Sequence, residues 1–202
     1  MDTACEMTNA SGAPAAAAAR HRLDQTLLES IAAGDKLAMQ VLFQRHNVRV
    51  YRFVLRLIGN PALAEEIVSE VFLNVWRRAG SFDAKCQVTT WLLAIARHKA
   101  LSVLRRRPET QLDEAMAATI ADPGEDAEAV LDRKERSQII RACLTQLSPA
   151  HREIIDLVYY HEKSVDEVAR IVDAPKSTVK TRMFYARSHM AKLLAAAGVR
   201  PR

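Results

Sequence analysis

Ser164-Val165-Asp166-Glu167-Val168-Ala169-Arg170-Ile171-Val172-Asp173-Ala174-Pro175-Lys176-Ser177-Thr178-Val179-Lys180-Thr181-Arg182 reads as a helix, a tight turn and a second helix. Ser164 and Glu167 form a capping-box pattern, in which hydroxyl and carboxylate each satisfy an orphan amide at a helix start. Val165, Val168, Ala169 and Val172 then follow at helical spacing. Asp173-Ala174-Pro175 stops the pattern, because proline lacks an amide hydrogen and restricts the residue before it. A second helix is expected to start at Ser177, with Val179, Met183, Ala186 and Met190 on one face and Lys176, Lys180, Thr181, Arg182 and Arg187 facing outward or flanking the start. Two readings fit: an ordinary solvated helix pair, or a DNA-binding helix-turn-helix whose second helix enters the major groove with its N-terminal residues.

Composition narrows the class. A chain of 202 residues suits two small helical domains, each with its own core. The formal charge of +5 suits a polyanionic partner without requiring one. Glycine and proline are scarce and no long alternating run occurs, so the fold class is all-α. Cys5, Cys86 and Cys143 are odd in number and lack a CxxC pair or a zinc-finger cluster, so they are expected as reduced thiols, with no metal site and no cofactor. No apolar run approaches the roughly eighteen residues of a membrane span. The alanine tract Ala15 to Ala19 precedes rather than follows Arg20 and Arg22, the wrong order for a signal peptide, so a soluble cytoplasmic protein without direct membrane insertion is expected.

Residues 1–24 lack periodic apolar positions and are expected as a disordered tail. Leu27, Leu28 and Ile31 begin a helical pattern that ends at Gly34, with Asp35 as the next cap. The long helix that follows is expected to bury Leu37, Val41, Leu42, Val48, Tyr51, Val54, Leu55 and Ile58 and to close at Gly59. Asn60-Pro61 starts a third helix, burying Leu63, Ile67, Val71, Phe72 and Val75. After a loop over 81–88, Thr89 or Thr90 is expected to cap a fourth helix from Trp91 to Arg107.

Charge then splits sharply. Between Arg77 and Arg107 eight residues are basic and only Asp83 is acidic, which points to a polyanion-binding face. From Pro108 to Asp132 every charged residue is acidic, and Pro123-Gly124 lies within, as expected of an interdomain linker. Periodicity resumes near Val130, and Ser148-Pro149 begins another helix.

With these pieces in order, residues 25 to 195 resemble the extracytoplasmic-function (ECF) sigma factors, the small two-domain branch of the bacterial sigma-70 family. Ala64-Glu65-Glu66-Ile67-Val68-Ser69-Glu70-Val71-Phe72 through Trp76 is similar to the segment that docks on RNA polymerase, and Trp91 to Arg106 to the segment that melts and reads the minus-ten element. Leu144-Thr145-Gln146-Leu147-Ser148-Pro149 with Arg152, then Ser164 to Arg187, is similar to the domain that reads the minus-thirty-five element. The chain departs from the family habit at Glu66, Ser69, His98, Ser102 and Asp173, where Asp, Gln, Asn, Asp and Gly are common; Asp173 is expected to take a left-handed conformation.

The resemblance implies a tail at 1–24, a region 2 domain at 25–107, an acidic linker at 108–132 and a region 4 helix-turn-helix domain at 133–197. It implies a sigma factor without enzymatic activity that binds core RNA polymerase and promoter DNA, duplex and melted, for a stress or signal regulon under an anti-sigma factor. Phe82, Lys85, Gln87, Arg97, His98, Lys99, Ser102, Arg105 and Arg106 are the minus-ten candidates: a ring and an amide for a captured base, and cations for phosphates. Lys176, Ser177, Thr178, Lys180, Thr181, Arg182 and Arg187 are the minus-thirty-five candidates. Glu66, Glu70, Asn74 and Arg77, spaced three or four apart, form the polymerase-binding stripe. The alternative is a stand-alone helix-turn-helix regulator that binds operators without polymerase. A metal-dependent hydrolase built on Glu65, Glu66 and Glu70 lacks a histidine at ligand spacing.

Overall fold

The structure, a computed structural model, describes residues 12–106 and 137–199. The acidic linker expected at 108–132 and the tail up to residue 11 lie outside the described residues. Every regular element within them is helical: α1 Gly12–Ala32, α2 Lys36–Ile58, α3 Pro61–Arg78, α4 Val88–Arg106, α5 over residues 137–145, α6 Pro149–Ile155, α7 Val165–Val172 and α8 Lys176–Ala196. Helices α1 to α4 form one bundle; α5 to α8 form a second unit containing the helix-turn-helix.

The local signals act as the sequence predicts. Asp35 accepts hydrogen bonds from the amides of Leu37 and Ala38, and Asn60 from that of Leu63, with Pro61 in the first turn. Gly59 ends α2 in the left-handed region at φ 74°, its amide donating to the Leu55 carbonyl. A Cβ there would meet the steric cost of that region, and the glycine lets α3 begin after one intervening residue. Ser148 caps α6 by accepting from the His151 amide. Arg152 then donates to the carbonyls of Leu144, Thr145 and Leu147, tying the end of α5 to α6. The capping box of Ser164 and Glu167 opens α7, and Asp173 closes it at φ 49°.

Several expectations need correction. Part of the tail expected to be disordered over residues 1–24 is helical, because α1 begins at Gly12. Alanine has the highest helix propensity, and the helix is anchored by buried Leu28 and Ile31 and by Asp24, whose carboxylate receives Arg45 Nε at 2.8 Å and lies 2.9 Å from His46 Nε2. Burial would raise the Asp24 pKa, but His46 and Arg45 outweigh it and hold it below the usual carboxylate value. On α2 the inward face is Ala38, Leu42, His46, Val50, Phe53, Val54 and Ile58, whereas Leu37, Val41 and Val48 are exposed. Helix α4 starts at Val88, not Trp91, with the Gln87 carbonyl receiving the Trp91 amide, and Thr90 is buried rather than capping. Helix α8 starts at Lys176, one residue before Ser177, because Pro175 occupies the cap position.

The largest difference concerns the core. Two domains with separate cores are expected, yet one apolar cluster runs from Leu28 and Phe53 through Leu92 and Ala96 to Ile154, Leu157, Val168, Ile171 and Val179. The second unit keeps a small cluster of its own, Leu147, Ile155 and Ala186, beneath α8. Helix α7 has only eight residues and packs against α4 on one side and α8 on the other. So short a helix cannot close a core alone, and its Val168, Ile171 and Val172 are covered only with help from the first unit.

Candidate nucleic-acid interface

The helix-turn-helix presents its second helix as the pattern requires. Val179 and Ala186 are buried and Met183 and Met190 half-buried, which turns Lys176, Ser177, Lys180, Thr181 and Arg187 to the surface and leaves Thr178 and Arg182 partly covered. Lys176 pairs with Asp166 across the turn at 2.8 Å, so at this helix start one cation is shared between protein and any bound phosphate. The Arg187 guanidinium lies 5.7 Å from the ring centre of Tyr159. Phe184 and Tyr185, edge to face with centroids 5.5 Å apart, stand exposed on the same helix; sequence reasoning missed this pair, although a bulky aromatic off the Val179–Met183–Ala186 stripe was the available signal.

The basic helix behaves differently. His98, Arg105 and Arg106 are exposed and Ser102 is partly covered. Lys99 donates to Glu70 at 2.7 Å, joining one minus-ten candidate to one member of the polymerase stripe. Glu66 and Arg77, of the stripe expected to bind polymerase, are exposed and Asn74 is partly so. In the preceding loop, the Lys85 amide donates to the Asp83 carboxylate, and that bond together with the Lys85 ammonium holds Asp83 below the usual carboxylate pKa. Phe82 is half-buried and packs edge to face against Trp91, centroids 5.3 Å apart. Burial pushes the neighbouring Cys86 thiol pKa up, which disfavours the reactive thiolate.

Two of the minus-ten candidates are held by the second unit through their side chains, and a third, Lys85, through its carbonyl alone, its ammonium staying exposed beside Asp83. Arg97 grips Glu153 of α6 through Nε at 2.6 Å and Nη2 at 3.4 Å. Gln87 Oε1 accepts from Lys163 Nζ at 3.1 Å, and the Lys85 carbonyl accepts from Arg170 at 2.7 Å. Lys163, only 5% exposed, also donates to Thr89 at 2.6 Å and to Glu167 at 2.7 Å, while the Thr90 hydroxyl donates to the same Glu167 oxygen. Burial works to raise the Glu167 pKa, but Lys163, Thr90 and the Ser164 amide outweigh it and hold it at about 2. Burial likewise lowers the Lys163 pKa against the opposing pull of Glu167. Arg56 of α2 pairs with Asp156, and Phe53 packs edge-on against His161. Lys163, Glu153 and Asp156 escaped sequence reasoning, because their partners lie 56 to 100 residues away along the chain.

Among the described residues no helix is long and apolar enough to cross a membrane, and no group of three or more His, Cys, Asp or Glu could hold a metal ion.

Comparison with known proteins bears on both units. The family models "Sigma-70 region 2" and "Sigma-70, region 4" match residues 42–109 and 137–190. An ECF RNA polymerase sigma factor SigK of Mycobacterium sp. (strain KMS) is 34% identical over 161 residues, covering 78% of this chain and 83% of that protein. The protein of the same name from Mycobacterium tuberculosis (strain ATCC 25618 / H37Rv) is 33% identical over 161 residues, 78% of this chain and 86% of its own. Among solved structures, CnrH in complex with the cytosolic domain of CnrY superposes with a TM-score of 0.62 at 22% identity, over 86% of this chain and 98% of that one. The sigma factor RpoE of Bartonella quintana, in complex with the anti-sigma factor NepR, gives 0.59 at 22% identity, over 77% and 96%.

Proposed function

We propose, because this chain belongs to the extracytoplasmic-function branch of the sigma-70 family, that it is the promoter-specifying subunit of a bacterial RNA polymerase, works in the cytoplasm and catalyses nothing itself. The observation that carries this reading is the presence of region 2 and region 4 matches, in that order, on one chain. A stand-alone regulator needs only the second of them, so that alternative is not favoured.

Two kinds of contact divide the work. Ser177, Thr178, Thr181 and Arg182, near the start of α8, are placed to meet base edges in the major groove of the minus-thirty-five element, while Lys176, Lys180 and Arg187 meet phosphates that fix register. On α4, Lys99, Arg105 and Arg106 with Arg97 neutralise the backbone of the melted minus-ten strand, and His98 and Ser102 face its bases. Phe82 and Gln87, in the loop before α4, take a base out of the stack, one by stacking and one by hydrogen bonding. Glu66, Glu70, Asn74 and Arg77 dock on core polymerase. An anti-sigma protein is the expected restraint, as a partner of that name accompanies the Bartonella quintana fold relative.

Run-off transcription with purified core polymerase and a genomic promoter pool tests the whole reading. Transcripts that require this chain are expected; their absence would leave the regulator. Two variants test individual assignments. Arg187→Ala should weaken promoter binding similarly across sequences and reduce the log-log salt slope by about 1; an unchanged slope removes Arg187 from the phosphate contacts. Glu66→Lys, on an exposed position, should weaken core-polymerase binding about tenfold, or 1.4 kcal/mol, with an unaltered helical circular dichroism spectrum. Equal affinity in a titration would remove the stripe from the docking surface.

A further inference from the structure

The chain between α6 and α7 is wound differently from the helices on either side. Asp156–Tyr160 forms a single π-helical turn, closed by the His161 amide donating to the Asp156 carbonyl. Such turns are rare and frequently stand at functional sites. This one is fixed on two sides. Leu157 is fully buried, and its carbonyl accepts from the Lys163 amide. Tyr160 lies under the Arg56 guanidinium, 4.4 Å from the ring centre, and the same arginine pairs with Asp156. Tyr159, 55% exposed, is thereby held against α8, where the Arg187 guanidinium lies over its ring at 5.7 Å.

We propose that Tyr159 is a positioning residue for promoter binding, whose ring holds the Arg187 guanidinium ready for a phosphate of the minus-thirty-five duplex. The inference rests on the phosphate role given to Arg187 above and names what orients that side chain. A free arginine side chain samples many rotamers, and a contact with DNA must first order it. A ring face restricts the guanidinium without consuming an N–H, so its planar fork keeps its donors for phosphate oxygens. Lys176 is placed differently. Its ammonium is paired with Asp166 at 2.8 Å and must leave a carboxylate before it meets a phosphate. Among the described residues Arg187 has no such carboxylate, only the ring. It is therefore oriented and still available, and Tyr159 raises affinity by preorganisation without touching DNA itself.

The test uses the full chain, a fluorescent random-sequence duplex of twenty base pairs, and nitrogen relaxation of the Arg187 side chain by NMR. Tyr159→Leu removes the ring face but keeps apolar bulk. It is expected to weaken duplex binding about two- to fivefold and to loosen the Arg187 Nε–H bond vector. Tyr159→Phe keeps the ring and should match the unaltered chain in both measurements. In an Arg187→Ala background Tyr159→Leu should cost nothing further, because the two residues act as one unit. Tyr159→Gln, equally without a ring, takes its place if the leucine variant folds poorly. An equal loss in both backgrounds, an equal loss for Leu and Phe, or an Arg187 side chain no looser without the ring overturns the proposal. Run-off transcription separates this from the sigma-factor reading: transcripts without coupling between Tyr159 and Arg187 remove the positioning role alone, and coupling without transcripts removes the sigma role alone.

Discussion

Phe53→Ala is expected to lower the unfolding free energy by about 3–5 kcal/mol, the range for truncating a buried phenylalanine. Phe53 is fully buried on α2 and belongs to the cluster shared by both units, with its ring edge-on to His161 at 5.4 Å between centroids. Truncation removes apolar contact and leaves a cavity in the cluster that both units share. Urea unfolding should show a lower midpoint, and Phe53→Leu should cost less because it retains most of the volume. A loss for Phe53→Ala under about 1 kcal/mol, typical of an ordinary substitution, would mean that the two units do not share this core in solution.

The second large effect is expected at Glu167. Its carboxylate receives Lys163 and Thr90 and closes the capping box with the Ser164 amide, and its pKa is held at about 2 against an ordinary 4.5. Glu167→Gln should cost about 2–3 kcal/mol at pH 7, because it leaves the buried Lys163 ammonium without its countercharge. The folded-state pKa lies below the unfolded one, so the unfolded chain binds more protons between the two values. The Glu167 contribution is therefore fully present above about pH 4.5 and is lost as pH falls towards 2. Urea titrations at pH 7, 4 and 3 should show the gap between the two proteins narrowing in that order. A gap independent of pH would place the effect in packing rather than in the ion pair.

Much of the fold was legible because its signals are local. Asp35, Asn60-Pro61, Ser148-Pro149 and the Ser164–Glu167 box act on amides within a turn of themselves, so each helix start among them is encoded where it occurs. The helix-turn-helix was legible for the same reason, down to the left-handed Asp173 at φ 49°. The start of α4 was not. Thr90 has the chemistry of a cap, but its hydroxyl is taken by Glu167, 77 residues later, and the helix begins before it. Nor was the inward face of α2, since Leu37, Val41 and Val48 satisfy helical spacing as well as Ala38 and Phe53 do, and periodicity alone does not say which stripe meets a neighbour.

The same division governs the candidate sites. Residue type and spacing singled out the start of α8 and the basic run on α4, because charge, hydroxyls and a turn are properties of nearby residues. By itself the sequence determined the all-helical class and the order of its two units, and it singled out the candidates for DNA contact. Only the tertiary structure decided that Lys163, Glu153 and Arg170 bond the Gln87 amide oxygen, the Arg97 guanidinium and the Lys85 carbonyl while the start of α8 stays exposed. The physical reason is that a buried ion pair depends on the countercharge and the dry surface that folding brings to it from distant segments, and neither is written beside the residue in the chain.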